Sequence, residues 1–179
     1  MAPNFDDPLG MLRACHRRME KQLATLERLQ RHVPEHGCDD DARAAARAVM
    51  RYFDTAAVQH HADEENSLFP RLVATRDSAA ALVAQLHAEH ATLTLQWAHL
   101  RPLLAGIATG ERANLSAHDV AVFRGTYDGH MGREEAELLP MAEEILDATT
   151  LAAIGAEMAA RRRPVGASAT PAEGRSRAG

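Results

Sequence analysis

FDTAAVQHHADEENSLFP, residues 53–70, and FRGTYDGHMGREEAELLP, residues 123–140, follow one pattern. Each starts on a phenylalanine, Phe53 or Phe123, and reaches a histidine, His60 or His130. A pair of glutamates follows, Glu64-Glu65 or Glu134-Glu135, and then Leu68-Phe69-Pro70 or Leu138-Leu139-Pro140. Residues four apart lie one turn apart on the same face of a helix. Phe53, Ala57, His60, Glu64 and Leu68 therefore form one stripe. Val120, Phe123, Tyr127, His130, Glu134, Leu138 and Met141 form another. Both stripes are apolar except for one histidine and one glutamate.

Ahead of each stretch lies a helical pattern with a single histidine on its apolar face. The first is Leu9, Leu12, His16, Met19, Leu23 and Leu26; the second is Val83, Leu86, His90, Leu93, Trp97, Leu100 and Leu104. The chain thus reads as two helical hairpins in a pseudo-repeat. No segment alternates apolar and polar residues as a strand would. The fold class expected is all-α: an up-down-up-down antiparallel four-helix bundle over residues 1–148. A short extra helix and a disordered tail make up residues 149–179, the tail running from Arg163 and rich in Pro, Gly, Ala and Ser.

The helix ends carry local signals. Asp7-Pro8 opens the first helix, which is expected to run to about Arg31 and stop before Pro34. The acidic run Asp39-Asp40-Asp41 opens the second, to about Ala74. The third starts at Asp77 or Ser78 and reaches about Leu104, with a break over Gly106–Gly110. The fourth starts at Ser116, with Asp119 three residues on, and reaches Pro140 or beyond. The fifth runs from Thr149 to about Arg162.

Composition narrows the function. The net charge of −5 gives no bulk attraction to nucleic acid or to an anionic membrane surface. No stretch of eighteen or more apolar residues is present to span a bilayer. The first ten residues show no signal-peptide pattern, so the cytoplasm is the expected compartment. Two cysteines, Cys15 and Cys38, make no zinc-ribbon or disulfide framework. Cys15 is expected to be a buried, inert thiol, and Arg161-Arg162-Arg163 a solvated run.

Polar groups on four apolar stripes need one shared explanation, because an unpaired polar group in a core costs roughly 2–7 kcal/mol. Metal binding supplies it. His16, His60, His90 and His130 offer four imidazoles, and Glu64 and Glu134 offer two carboxylates. Imidazole suits Fe, Zn, Cu and Ni, and carboxylate suits harder, oxophilic ions. Two bridging glutamates with two histidines per ion give four protein ligands each. A bridging oxide or hydroxide would be a fifth, leaving an open position on each ion. There is no His-Glu-x2-His and no Glu-x2-His motif, so neither a zincin helix nor a ferritin-like carboxylate site is supported.

His60-His61-Ala62-Asp63-Glu64-Glu65-Asn66-Ser67-Leu68-Phe69-Pro70 resembles the signature helix of haemerythrin-like (HHE cation-binding) domains, and the resemblance covers about residues 8–146. It implies a non-haem di-iron centre of two iron ions on His16, His60, Glu64, His90, His130 and Glu134. It also implies a small-molecule reactant: oxygen, nitric oxide or peroxide. The sequence departs from the oxygen carriers at Leu86, where they have a further histidine. The remaining set is similar to that of bacterial iron–sulfur-repair di-iron proteins, which act under nitric oxide and oxidative stress. Reaction with peroxide, nitric oxide or oxygen in stress protection is the function expected. Reversible binding or sensing of oxygen or nitric oxide, and iron storage or handling, are the alternatives. His61 and His87 are read as supporting or surface groups, and Tyr127 as a core aromatic whose hydroxyl bonds to a carboxylate. His32, His36 and His118 are read as exposed.

Overall fold

The computed structural model describes residues 4–111 and 115–163. Among them the only regular structure is helical: α1 (Pro8–His36), α2 (Asp40–Asp63), α3 (Phe69–Thr75), α4 (Ala79–Thr109), α5 (Ala117–Arg133), α6 (Leu139–Ile145) and α7 (Ala148–Arg161). A π-helical turn, Glu64–Leu68, joins α2 to α3, and a second, Glu134–Leu138, joins α5 to α6. Four rods result. They pack in a closed ring in which α1 touches α2, α2 touches α4, α4 touches α5 and α5 returns to α1. The tail expected to be disordered lies, from residue 164 onward, outside the described residues. No helix is long and apolar enough to cross a membrane among the described residues.

Short polar side chains start the helices by satisfying amide donors that have no partner inside the helix. Asp7 accepts from Gly10 N, Asp39 from Ala42 N, Ser116 from Asp119 N and Asp147 from Thr150 N. Two ends differ from the sequence expectation. Helix α1 does not stop before Pro34 but runs through it to His36. Pro34 forfeits one backbone bond, and Val33, 1% exposed, anchors the last turn in the core. Helix α4 does not end near Leu104 but passes Gly106, because Ile107 is fully buried one residue on. It closes at Gly110, whose φ of 84° belongs to the left-handed region.

The π turns have a local cause. Pro70 and Pro140 have no amide hydrogen, and each ring crowds the carbonyl four residues back. The register relaxes to five: Phe69 N–H donates to Glu64 O, and Leu139 N–H donates to Glu134 O. Such turns favour functional sites, and here each begins on the glutamate of the repeated motif.

The apolar core is divided in two. One cluster holds Met19, Phe53, Leu93, Phe123 and Tyr127, and the other holds Leu12, Leu68, Leu86 and Leu138. On every rod a buried histidine, with a glutamate on two of them, sits between its contributions to the two clusters. Helix α7 covers the second cluster with Ile154 and Met158. Gly155 lets it approach the N-terminal segment, since a Cβ there would meet the Phe5 carbonyl oxygen at 2.0 Å. Gly155→Ala is expected to destabilise the fold by about 1–3 kcal/mol, the range for overpacking, read as a lower melting temperature. An unchanged melt would show that this close approach is dispensable.

Candidate metal centre

The six residues expected to ligate metal come together between the two apolar clusters. His16, His60, His90 and His130 are at most 3% exposed, and Glu64 and Glu134 are 0% exposed. One donor atom each from His16, His60, Glu64 and Glu134 lies within 4.8 Å of the others. Glu64, His90, His130 and Glu134 form a second such group. Both glutamates belong to both groups.

Three of the four histidines are aimed by carboxylates around the cluster. His16 Nδ1 donates to Glu135 at 2.7 Å, His90 Nδ1 to Glu65 at 2.7 Å, and His130 Nδ1 to Glu89 at 3.0 Å. A carboxylate only accepts, so Nδ1 carries a proton; when the ring is neutral, as a metal ligand must be, Nε2 is left bare on the inside. This carboxylate–histidine arrangement orients an imidazole toward a metal. Glu65 and Glu135, which follow the two stripe glutamates in sequence and so turn about 100° off the stripe, are the supports for His90 and His16. Glu89 has no counterpart in the sequence reading. Its signal was its position beside His90, and only the packing of α4 on α5 brings it to His130, where Arg133 also binds it.

Inside the cluster the donors are close yet unpaired. His16 Nε2 lies 3.1 Å from Glu134 Oε2, and His60 Nε2 lies 3.3 Å from Glu64 Oε1. Neither pair has hydrogen-bond geometry: His16 Nε2, both nitrogens of His60 and all four carboxylate oxygens of Glu64 and Glu134 are buried without a hydrogen-bond partner. His90 Nε2 and His130 Nε2 face each other at 3.1 Å. Between neutral rings whose Nδ1 protons point outward two lone pairs meet there, and one added proton turns the contact into a hydrogen bond. Buried orphans on this scale carry a large desolvation cost, and a cation bound among them would remove it. The donor set therefore fits a metal site.

Titration behaviour follows from the same crowding. Burial, reinforced by Glu134, holds the Glu64 carboxyl well above its ordinary value. Burial also opposes the charge on Glu134, but the close approach of the His130 and His16 rings, each 3.1 Å away, outweighs it and holds that carboxyl well below. Burial pushes His60 well down. On His16 and His130 burial is outweighed by neighbouring carboxylates, Glu134 first, and both rings are raised.

A sequence model of the Hemerythrin HHE cation binding domain matches residues 7–142. The chain belongs to this family. It is also 30% identical over 159 residues, 89% of this chain and 92% of the relative, to a Haemophilus influenzae protein whose printed name is "Uncharacterized protein".

Around the HHE cluster the remaining candidates fall in different places. His61 stacks on His90 with ring centroids 4.0 Å apart and planes 15° from parallel. A metal lies near the plane of an imidazole that binds it, and two stacked planes share no such point. His61 and His90 in these orientations therefore cannot bind one ion together, although His61, His90 and His130 donors lie within 4.8 Å. His61 keeps an edge at a cavity while its Nε2 is shut away without a partner. That cavity, about 370 Å³, also reaches His90, Glu65 and the exposed His87. A smaller one, about 70 Å³, lies against Phe53, Trp97 and Tyr127, and the two share Val58, His61 and Thr94 as walls. Tyr127 is buried against Phe53 and Phe123. The expected bond from its hydroxyl to a carboxylate is not found among the described residues, because its ring belongs to the aromatic cluster. His36 and His118 are exposed as expected, while His32 is half-buried and held to Asp39 at 2.9 Å. Cys15 is buried beside Arg18, 3.1 Å from its sulfur. The arginine run is solvated only at Arg163: Arg161 and Arg162 both bind the buried carboxylate of Asp63.

Proposed function

We propose that this HHE domain holds two iron ions, one on His16 and His60 and one on His90 and His130, with Glu64 and Glu134 shared between them. The observation that carries this reading is that both glutamates belong to both four-donor groups. The bound pair would supply open coordination positions and electrons for reaction with a small oxidant, namely peroxide, nitric oxide or oxygen, in protection against stress. The protein's own part is orientation and shielding. Glu135, Glu65 and Glu89 fix the proton on Nδ1 of three histidines and leave Nε2 bare. The flanking apolar clusters exclude bulk water, which strengthens each charge interaction within.

Elemental analysis of protein prepared with ample iron tests the centre, with two ions per chain expected. A single ion, or zinc alone, would sink the di-iron reading. Titration with peroxide, nitric oxide and oxygen, followed by absorbance, tests the chemistry. Consumption over many turnovers marks catalysis, and a reversible spectral change without consumption marks binding or sensing instead.

The cavity wall offers a separate check on access. Val58 is 57% exposed and lines both cavities, so a larger residue fits there without entering the core. Val58→Trp is expected to slow the reaction with small molecules while iron content and melting temperature stay as they were. An unchanged rate would mean that ligands reach the centre from another side.

A further inference from the structure

The family match ends at residue 142, and α7 lies wholly beyond it. Yet α7 grips the segment that carries Glu64. Asp63 stands directly before Glu64, where α2 passes into the π turn, and its side chain is 0% exposed. One of its oxygens binds Arg161 at 2.8 Å and the other binds Arg162 at 2.6 Å. Within the π turn the Ser67 hydroxyl donates to Glu157 and accepts from Arg161, both on α7. Glu64 is thus flanked on both sides by residues tied to the same helix.

The other half of the repeat is built differently. The positions equivalent to Asp63 and Ser67 are Arg133 and Glu137. Arg133 pairs with Glu89, and Glu137 is exposed. The two halves agree at the histidines and glutamates of the cluster and part at the positions that face α7. A buried ion pair is weak support for stability alone, because desolvation offsets the attraction. What two planar guanidiniums on one carboxylate do provide is direction.

We propose that Arg161 and Arg162 are positioning residues of the metal centre: through Asp63 they fix the π turn that aims Glu64, so that retention of metal depends on the docking of α7. This rests on Glu64 being a metal ligand. The asymmetry follows, since among the described residues no side chain beside Glu134 is paired with α7: Arg133 binds Glu89 on α4 and Glu135 binds His16 on α1.

The test uses the full chain loaded with ferrous iron, in three forms: unaltered, Arg161→Gln with Arg162→Gln, and Leu104→Ala. Leu104 is fully buried in the apolar cluster away from α7, so its truncation lowers stability without touching the clamp. Iron release to an excess of chelator and the visible spectrum of the loaded protein are recorded beside the melting curves. The arginine variant is expected to release iron about 10–100-fold faster, the usual effect of losing an outer support of a metal ligand, and to show a shifted spectrum. Leu104→Ala is expected to melt lower with release and spectrum unchanged. Equal release from the two variants would reduce the clamp to general stability and overturn the proposal. So would release and a spectrum identical to those of the unaltered chain. If the arginine variant does not fold, Ser67→Ala carries the same comparison, with a smaller acceleration expected and none overturning the proposal. An unaltered chain that holds no iron overturns the ligand assignment and this inference with it; an unaltered chain that holds iron as firmly as the variants overturns this inference alone.

Discussion

Glu64→Ala and Glu134→Ala are each expected to lose at least one of two bound ions, measured as metal per chain after desalting. The cluster's four histidines are neutral donors when they bind a cation, so Glu64 and Glu134 supply its only protein anions. Removing either halves the negative charge between two cations and takes a donor from both four-donor groups at once. The buried site gives water little chance to compensate, as both side chains are 0% exposed. Glu65→Ala and Glu135→Ala are the paired controls. Each removes the acceptor from one histidine, His90 or His16. Affinity should fall by about 10–100-fold, with both ions still present at saturating metal. Loss of metal from Glu65→Ala with retention by Glu64→Ala would mean that the first π turn presents the wrong glutamate.

Removing metal from the loaded protein is expected to lower its melting temperature by roughly 8–16 °C. This corresponds to about 4 kcal/mol from a ligand at a thousandfold excess over its Kd, spread over a domain of this size. The structural ground is the set of buried donors without partners, which includes both nitrogens of His60 and all four oxygens of the two glutamates. Without a cation these groups stay desolvated and crowded, with burial and Glu134 pushing the Glu64 carboxyl up while His130 and His16, against burial, hold the Glu134 carboxyl down. Melts with and without chelator decide the matter. Coincident curves would show that the cluster contributes no metal-linked stability.

The sequence by itself determined the helices, the stripes and the six clustered residues, because all three follow from spacing along one chain. A residue at i and another at i+4 share a face whatever the rest of the protein does, so His60 with Glu64 and His130 with Glu134 were legible at once. The caps at Asp39 and Ser116 were legible for the same reason, their bonds spanning three residues. Prolines 70 and 140 also carried a local signal, though the π turns they impose were not read from it. Tertiary structure alone decided which donors lie together, which carboxylates bond to them and which helix binds the residues on either side of Glu64. His16 meets Glu135 across 119 residues, and Arg162 meets Asp63 across 99. No local period encodes such pairs. They exist because apolar faces buried against one another bring rods to a fixed register, and charged groups at the edges of those faces are left only certain partners. The same burial carried α1 past Pro34 and α4 past Gly106: Val33 and Ile107 gain more in the core than the backbone loses at the proline and the glycine.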